Sequence, residues 1–225
     1  MKKDLAVLSG KTMFEKTVKP AKERKTILQS VDSNTKIGKG GNTILKGIWK
    51  GMPMYSLTLE ERATCPKDCG QWDTCYGNNS PFRIRVQIDE TFYDKLEKEL
   101  SILNEKHKQG FVVRLHVLGD FTSIEYVQFW YKMLQKNSNL YIFGYTHWGP
   151  WSDIGMEIKV THVTFIKRKR FQIRFSDSDV QFRANVETKE NATGVICPEQ
   201  TGKTQSCLTC GLCWGIDKPI TFLPH

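Results

Sequence analysis

No run of about 18 apolar residues occurs in the sequence, which excludes a membrane-spanning helix, and no membrane partner is expected. No secretory leader is expected either. Met1-Lys2-Lys3-Asp4-Leu5-Ala6-Val7-Leu8 turns polar at Ser9-Gly10-Lys11 before an apolar core can form. The expected compartment is therefore the cytoplasm, where thiols stay reduced unless they bind metal. Internal repeats and low-complexity tracts are absent. So is a phosphate loop: Lys36-Ile37-Gly38-Lys39-Gly40-Gly41 is glycine-rich but lacks a preceding strand and a Lys-Ser/Thr ending. What remains is a chain of 225 residues, 39% hydrophobic and 25% charged, enough for one domain that buries most of its apolar surface.

The net charge of +9 is unevenly placed. Residues 1–50 carry 12 basic and 4 acidic side chains, whereas the remaining 175 carry 21 and 20. Residues 1–40, rich in Lys, Thr, Ser and Gly and without a sustained period, read as a basic and largely irregular arm. Such an arm either keeps the protein soluble or contacts nucleic-acid phosphates. An α/β core with a first cysteine group is expected over residues 41–190. A cysteine-rich segment, 191–225, should pack on that core within the same domain.

The pattern predicts strands over Met54–Leu59 and Phe82–Ile88, then a helix capped by Asp89 with Phe92, Leu96, Leu100 and Leu103 on its buried face. Gly110 ends that helix. Phe111–Leu118 reads as a strong strand, and Gly119-Asp120-Phe121 turns it into a second helix. There Thr122 and Glu125 form a capping box and Val127, Trp130, Tyr131 and Leu134 a buried stripe. Asn137 and Asn139 close that helix before a strand over Leu140–Tyr145. Further strands are expected at Val160–Ile166, Phe171–Phe175 and Ile220–Leu223. The alternation implies parallel βαβ units and an incomplete α/β barrel.

The seven cysteines fall into two groups, Cys65-x3-Cys69-x5-Cys75 and Cys197-x9-Cys207-x2-Cys210-x2-Cys213. Three thiols within seven residues of a loop-like context have no core to bury in, so metal binding is the expected use. Structural zinc favours two separated pairs of close cysteines. Successive x2 spacings instead wrap one compact object, as in ferredoxin-type runs that hold a 4Fe–4S cluster. The first group has three thiolates, which would leave one iron open to another ligand. The alternative is a single cluster shared between the groups, and both arrangements stand at this point.

Other residues suggest a ligand site. Asp120 ends a strand where α/β ligand sites gather, although a Gly-Asp turn also explains it. His116 shares a strand face with Arg114 and Leu118, and His147 follows Tyr145-Thr146 at another strand end. Trp148, Trp151 and Trp214 read as core fillers, with Trp214 placed to shield a cluster beside Cys213. Lys167-Arg168-Lys169-Arg170 reads as a solvated hairpin turn, or as a nucleic-acid contact flanked by Phe165 and Phe171.

Thr64-Cys65-Pro66, Cys69 and Cys75-Tyr76, with Arg114–Phe121, Tyr145-Thr146 and Cys197-Pro198 through Cys213-Trp214, resemble the gene product 88-like family of phage and prophage proteins over residues 35–225. That resemblance implies cysteine-ligated iron–sulfur binding on a phage-encoded protein in the cytoplasm of its host. More distantly, the chain is similar to the radical S-adenosylmethionine enzymes, whose three-cysteine loop after the first barrel strand holds a 4Fe–4S cluster. The usual x3, x2 spacing is x3, x5 here, and Gly119-Asp120 stands where that family has Gly-Glu. This likeness implies a trimmed radical-SAM-like βα barrel with one or two 4Fe–4S clusters. It also implies S-adenosylmethionine bound near Gly119, Asp120, His116 and His147, a small-molecule or macromolecular substrate, and an electron donor such as a flavodoxin or ferredoxin. An electron-transfer or redox-sensing protein without catalysis, and a zinc-stabilised nucleic-acid-binding protein, are the alternative expectations.

Overall fold

In the computed structural model, which describes residues 2–224, the elements run α1 (Lys2–Ser9), β1 (Val18–Pro20), β2 (Gln29–Ser30), β3 (Met54–Ser56), β4 (Arg85–Gln87), α2 (Phe92–Lys106), β5 (Phe111–Arg114), α3 (Ile124–Lys136), β6 (Leu140–Thr146), α4 (Asp153–Thr164), β7 (Phe171–Phe175), β8 (Ala184–Val186), β9 (Val195–Ile196), α5 (Cys207–Cys210), α6 (Leu212–Gly215) and β10 (Ile220–Phe222). Helices α2, α3 and α4 each follow the spacing that buries one face. In α2 that face is Phe92, Leu96, Leu100 and Leu103, and in α3 it includes Val127, Trp130 and Leu134. The cap of α3 is Ser123, not the expected Thr122; its hydroxyl accepts from Tyr126 N.

The main sheet has five strands in the order β2-β3-β5-β6-β7, with β2 antiparallel and the other four parallel. Parallel neighbours in sequence order carry right-handed crossovers, which put their helices on one face. The side chains agree. Phe111, Val113, Ile142, Phe171, Ile173 and Phe175 pack with the helix stripes, while Val112 and Phe143 point the other way into a cluster with Met54, Ile44, Trp49, Leu208 and Trp214. The second face is thus covered by the 31–52 segment and the C-terminal cysteine segment. Two small parallel sheets, β1-β4 and β8-β10-β9, flank this body.

The parallel βα alternation is present, but among the described residues no strand closes the sheet into a barrel. Val160–Thr164 is helical rather than extended, Phe165 ends that helix, and Ile166 opens a short 3-10 turn. Ser152 caps α4 by accepting from Gly155 N, and Ile154, Ile158 and Thr161 form its buried line. The β-branched Val160 and Val163 that suggested a strand lie on its solvent face. β5 stops at Arg114, after which Leu115 N still bonds Phe143 O and Val117 N bonds Leu57 O as the chain bends. The basic run is a helix-to-strand turn, not a hairpin. Lys169 takes a left-handed φ of 48°, and buried Arg170 donates to the carbonyls of Leu134, Asn137 and Leu140. The basic first 40 residues are folded onto the body through buried Ala21, Ile27, Leu28, Val31 and Ile37. No helix among the described residues is long and apolar enough to cross a membrane.

Candidate metal centre

The loop after β3 carries Cys65, Cys69 and Cys75, and buried charge holds it in shape. Glu61 accepts from Arg85 Nε at 2.5 Å and Nη2 at 2.8 Å, with neither side chain more than 1% exposed. Arg62, at a left-handed φ of 65°, donates to Asn78 Oδ1 at 2.7 Å and to Trp72 O at 3.1 Å. Gly119 presses the β5 turn against this loop. Its φ is +84°, and a Cβ there would stand 2.5 Å from Thr64 Oγ1 and 2.7 Å from Leu59 Cβ.

The C-terminal thiols arrive from the other side. Cys197 follows β9, and Cys207, Cys210 and Cys213 lie on α5 and α6, two single turns joined by Gly211. These turns dock on the early segment through Cys207 N to Lys36 O, Leu208 N to Ile37 O and Leu45 N to Leu208 O. Buried Arg174 of β7 fastens them further by donating to the carbonyls of Cys213, Ile216 and Lys218.

All seven cysteines line one cavity of about 510 Å³ at the C-terminal ends of the parallel strands, the edge where α/β ligand sites form. Within it they form two groups. Cys69 and Cys75 lie near enough to Cys65 for their charges to raise it, and Cys69 does the same to Cys75; Cys197 and Cys213 act so on Cys207, and Cys197 and Cys210 on Cys213. Burial is the main cause that pushes Cys65, Cys75, Cys207 and Cys213 upward, and the Asp120 carboxylate adds to it at Cys65. Activated nucleophilic cysteines show the opposite displacement. Thiols gathered around a cavity and held neutral by burial lose their protons when a metal provides the positive charge.

Two cations lie beside the C-terminal thiols. Burial opposes the charge of both Arg114 and Arg174; Tyr145 and Cys213 favour it at both, and the Asp217 carboxylate adds to this at Arg174. Arg114 lies over the rings of Tyr145, at 4.5 Å, and Phe143, at 5.3 Å. Among the described residues no three His, Cys, Asp or Glu side chains converge tightly enough to share one ion. A tetrahedral zinc would draw its thiolates to roughly 4 Å from one another, given Zn–S bonds of about 2.3 Å.

His116, Gly119, Asp120 and His147 all line the same cavity. Asp120 is committed to the turn: Oδ1 accepts from Thr146 Oγ1 at 2.8 Å and Phe121 N at 2.7 Å, and Oδ2 from His147 N at 2.7 Å. Burial pushes its pKa up to about 6 against those hydrogen bonds. His116 is buried, with Nε2 hydrogen-bonded to Tyr126 Oη at 3.1 Å and Nδ1 without a partner. Burial, with Arg114, holds its pKa down to about 3 and so keeps the ring neutral. At His147 burial opposes the charge, but hydrogen bonds to Asp177 and Cys69 prevail and raise the pKa to about 10. Trp214 is buried beside Cys213 and Trp148 bonds Phe121 O, but Trp151 is 76% exposed and fills no core. The sequence reading missed Arg174 and Asp177. A cation inside the otherwise apolar Phe171–Phe175 strand was the available signal for Arg174.

The family model for gene product 88 matches residues 25–216, which takes in both cysteine groups. The chain belongs to the gene product 88 family. No curated protein and no solved structure matches it. This gene product 88 chain therefore draws its functional reading from its own cavity.

Proposed function

We propose that the chain is an iron–sulfur protein with two thiol nests: Cys197, Cys207, Cys210 and Cys213 hold one 4Fe–4S cluster at four corners, and Cys65, Cys69 and Cys75 hold a second at three. The observation that carries this reading is the gathering of all seven cysteines around one cavity, grouped four and three. When bound, such clusters supply one-electron transfer, and a three-thiolate cluster keeps one iron open to a small ligand. The chain's own residues do the rest. Arg114 and Arg174 offset the negative charge of thiolate-ligated iron, and Trp214, Trp49 and Phe143 keep water from the four-thiol side. Glu61, Arg62 and Arg85 fix the loop that presents the three thiols. His147, held by Asp177, meets Cys69 as an outer hydrogen-bond partner.

A second reading adds catalysis on S-adenosylmethionine at the three-thiol nest. It is supported by the position of that loop, directly after the first parallel strand, and by the open nitrogen of His116 at the cavity wall. In this reading Asp120 orders the strand-end turn, because its oxygens are already bonded there.

Anaerobic purification with iron, sulfide and zinc analysis tests the proposal. A brown protein absorbing broadly near roughly 400 nm, in the iron–thiolate charge-transfer region, is expected. Cys65→Ala and Cys207→Ala should each lose about half of the iron, as two clusters require. A colourless zinc protein overturns the reading, and complete loss in both variants replaces two clusters by a shared one. With a reductant and S-adenosylmethionine, formation of 5′-deoxyadenosine upholds the catalytic reading and its absence removes it.

A further inference from the structure

Between Ser33 and Leu59 the chain carries four lysines and no acidic residue; Lys36 pairs with Glu199 at 3.8 Å, and Lys46 and Lys50 lie in the loop described next. The 44–52 loop folds back on itself through Gly51 N to Ile44 O at 2.8 Å, Ile44 N to Met52 O at 3.0 Å and Lys50 N to Gly47 O at 3.2 Å. This fold leaves Leu45 and Ile48 in solvent, 59% and 54% exposed, with Lys46 and Lys50 exposed beside them. The same loop sends Trp49 inward, where it stacks on Trp214 next to Cys213. Its Leu45 N bonds Leu208 O of α5 at 2.9 Å. The patch is thus the outer surface of the cover over the four-thiol nest.

An apolar centre flanked by lysines is the make-up of a protein-binding face, and the charges of Lys46 and Lys50 select an acidic partner. Binding of single-stranded nucleic acid would call for exposed aromatic or arginine planes on which bases stack. This patch offers aliphatic side chains and lysines, and its tryptophan is buried. We propose that the Leu45–Lys50 face docks an acidic one-electron carrier protein that reduces the cluster held by Cys197, Cys207, Cys210 and Cys213. The proposal rests on the iron–sulfur reading. In the step a reduced flavin hydroquinone on the carrier loses one electron and becomes the semiquinone, while the 2+ cluster becomes 1+. No covalent bond forms or breaks.

The test uses the anaerobic holoprotein, an acidic flavodoxin as carrier, and the variants Lys46→Glu/Lys50→Glu and Leu45→Ser/Ile48→Ser. Charge reversal should slow cluster reduction by limiting flavodoxin about tenfold and flatten its salt dependence, and the serine pair should weaken binding. Reduction by dithionite, which needs no docking face, should stay unchanged in both. An unchanged flavodoxin rate in the charge-reversal variant overturns the proposal. So does a DNA oligonucleotide that binds through Lys46 and Lys50 and is indifferent to the serine pair. If metal analysis finds no iron, the cluster reading and electron delivery fall together. Direct flavodoxin binding that is lost in Lys46→Glu/Lys50→Glu would then still show an acidic-protein face, and equal binding by both proteins would remove it.

Discussion

Arg174 Nε donates to the backbone carbonyl of Cys213 at 2.7 Å, so a cation from the central sheet holds the turn that carries a candidate ligand. The same guanidinium also serves the carbonyls of Ile216 and Lys218. Arg174→Met keeps the bulk and leaves these acceptors unmet, at a cost on the order of 3 kcal/mol. The expected outcome is early proteolytic cleavage within residues 206–218 and loss of metal from the four-thiol nest, with the three-thiol nest retained. Limited proteolysis with metal analysis measures both, and full metal content in a protease-resistant variant would contradict the role given to Arg174.

The indoles of Trp49 and Trp214 lie 5.4 Å apart between ring centroids with planes 4° from parallel, and each is 1% exposed. Trp49→Ala removes one side of this stack and opens a void beneath α5 and α6. A large-to-small change of this kind costs about 3–5 kcal/mol. Denaturant unfolding should show that loss, and the visible bands of the bound metal should become more sensitive to oxygen as water gains access. Trp49→Phe should recover most of the stability.

Much of this arrangement was legible in the sequence where local pattern and burial agree. The α2 stripe of Phe92, Leu96, Leu100 and Leu103 sits where its spacing put it, and Asp120 does meet His147, although it lies in the loop beyond β5, which ends at Arg114, and not at a strand end. The reading failed where tertiary contacts overrode local preference. Val160 and Val163 favour strand, yet the capped turn at Ser152 and the buried line Ile154-Ile158-Thr161 hold them in a helix. Arg170 looked like one of four solvated cations, but backbone carbonyls from α3 and its exit take it inside. That the cysteine groups face one cavity depends on the long-range docking of Cys207 and Leu208 on Lys36 and Ile37, which no local period encodes.

Gly119 is the point where the β5 turn and the three-cysteine loop touch. Its left-handed φ of +84° and the 2.5 Å approach that an added methyl would make to Thr64 Oγ1 act in the same direction. Gly119→Ala should therefore cost about 1–2 kcal/mol from backbone conformation alone, with more from the clash. The loop should shift, so that metal held by Cys65, Cys69 and Cys75 is lost before that held by the C-terminal thiols. Gly119→Ala with Thr64→Ser, which keeps the hydroxyl in place, should not rescue it. Metal content of the two variants, read beside Cys65→Ala, checks the order of loss.

His116 gives the fold an acid-sensitive point. Burial is the larger cause and the Arg114 charge the smaller that hold its pKa down to about 3, against an unfolded value near 6.5. Between these values the unfolded chain binds a proton that the native chain does not, so stability rises with pH across that window and is lost as pH falls through it. Each unit of displacement corresponds to about 1.4 kcal/mol, which makes the full effect several kcal/mol by order of magnitude. His116→Phe removes the proton site while keeping a ring against Phe121 and Tyr126, although it leaves the Tyr126 hydroxyl without its 3.1 Å partner. The double variant His116→Phe/Tyr126→Phe removes that hydroxyl as well. Denaturant midpoints measured from pH 7 to 4 should fall less steeply in the double variant than in the parent, by close to one proton in slope. Parallel slopes would show that His116 is charged in the folded state, and the neutral, cavity-facing ring argued for it would be wrong.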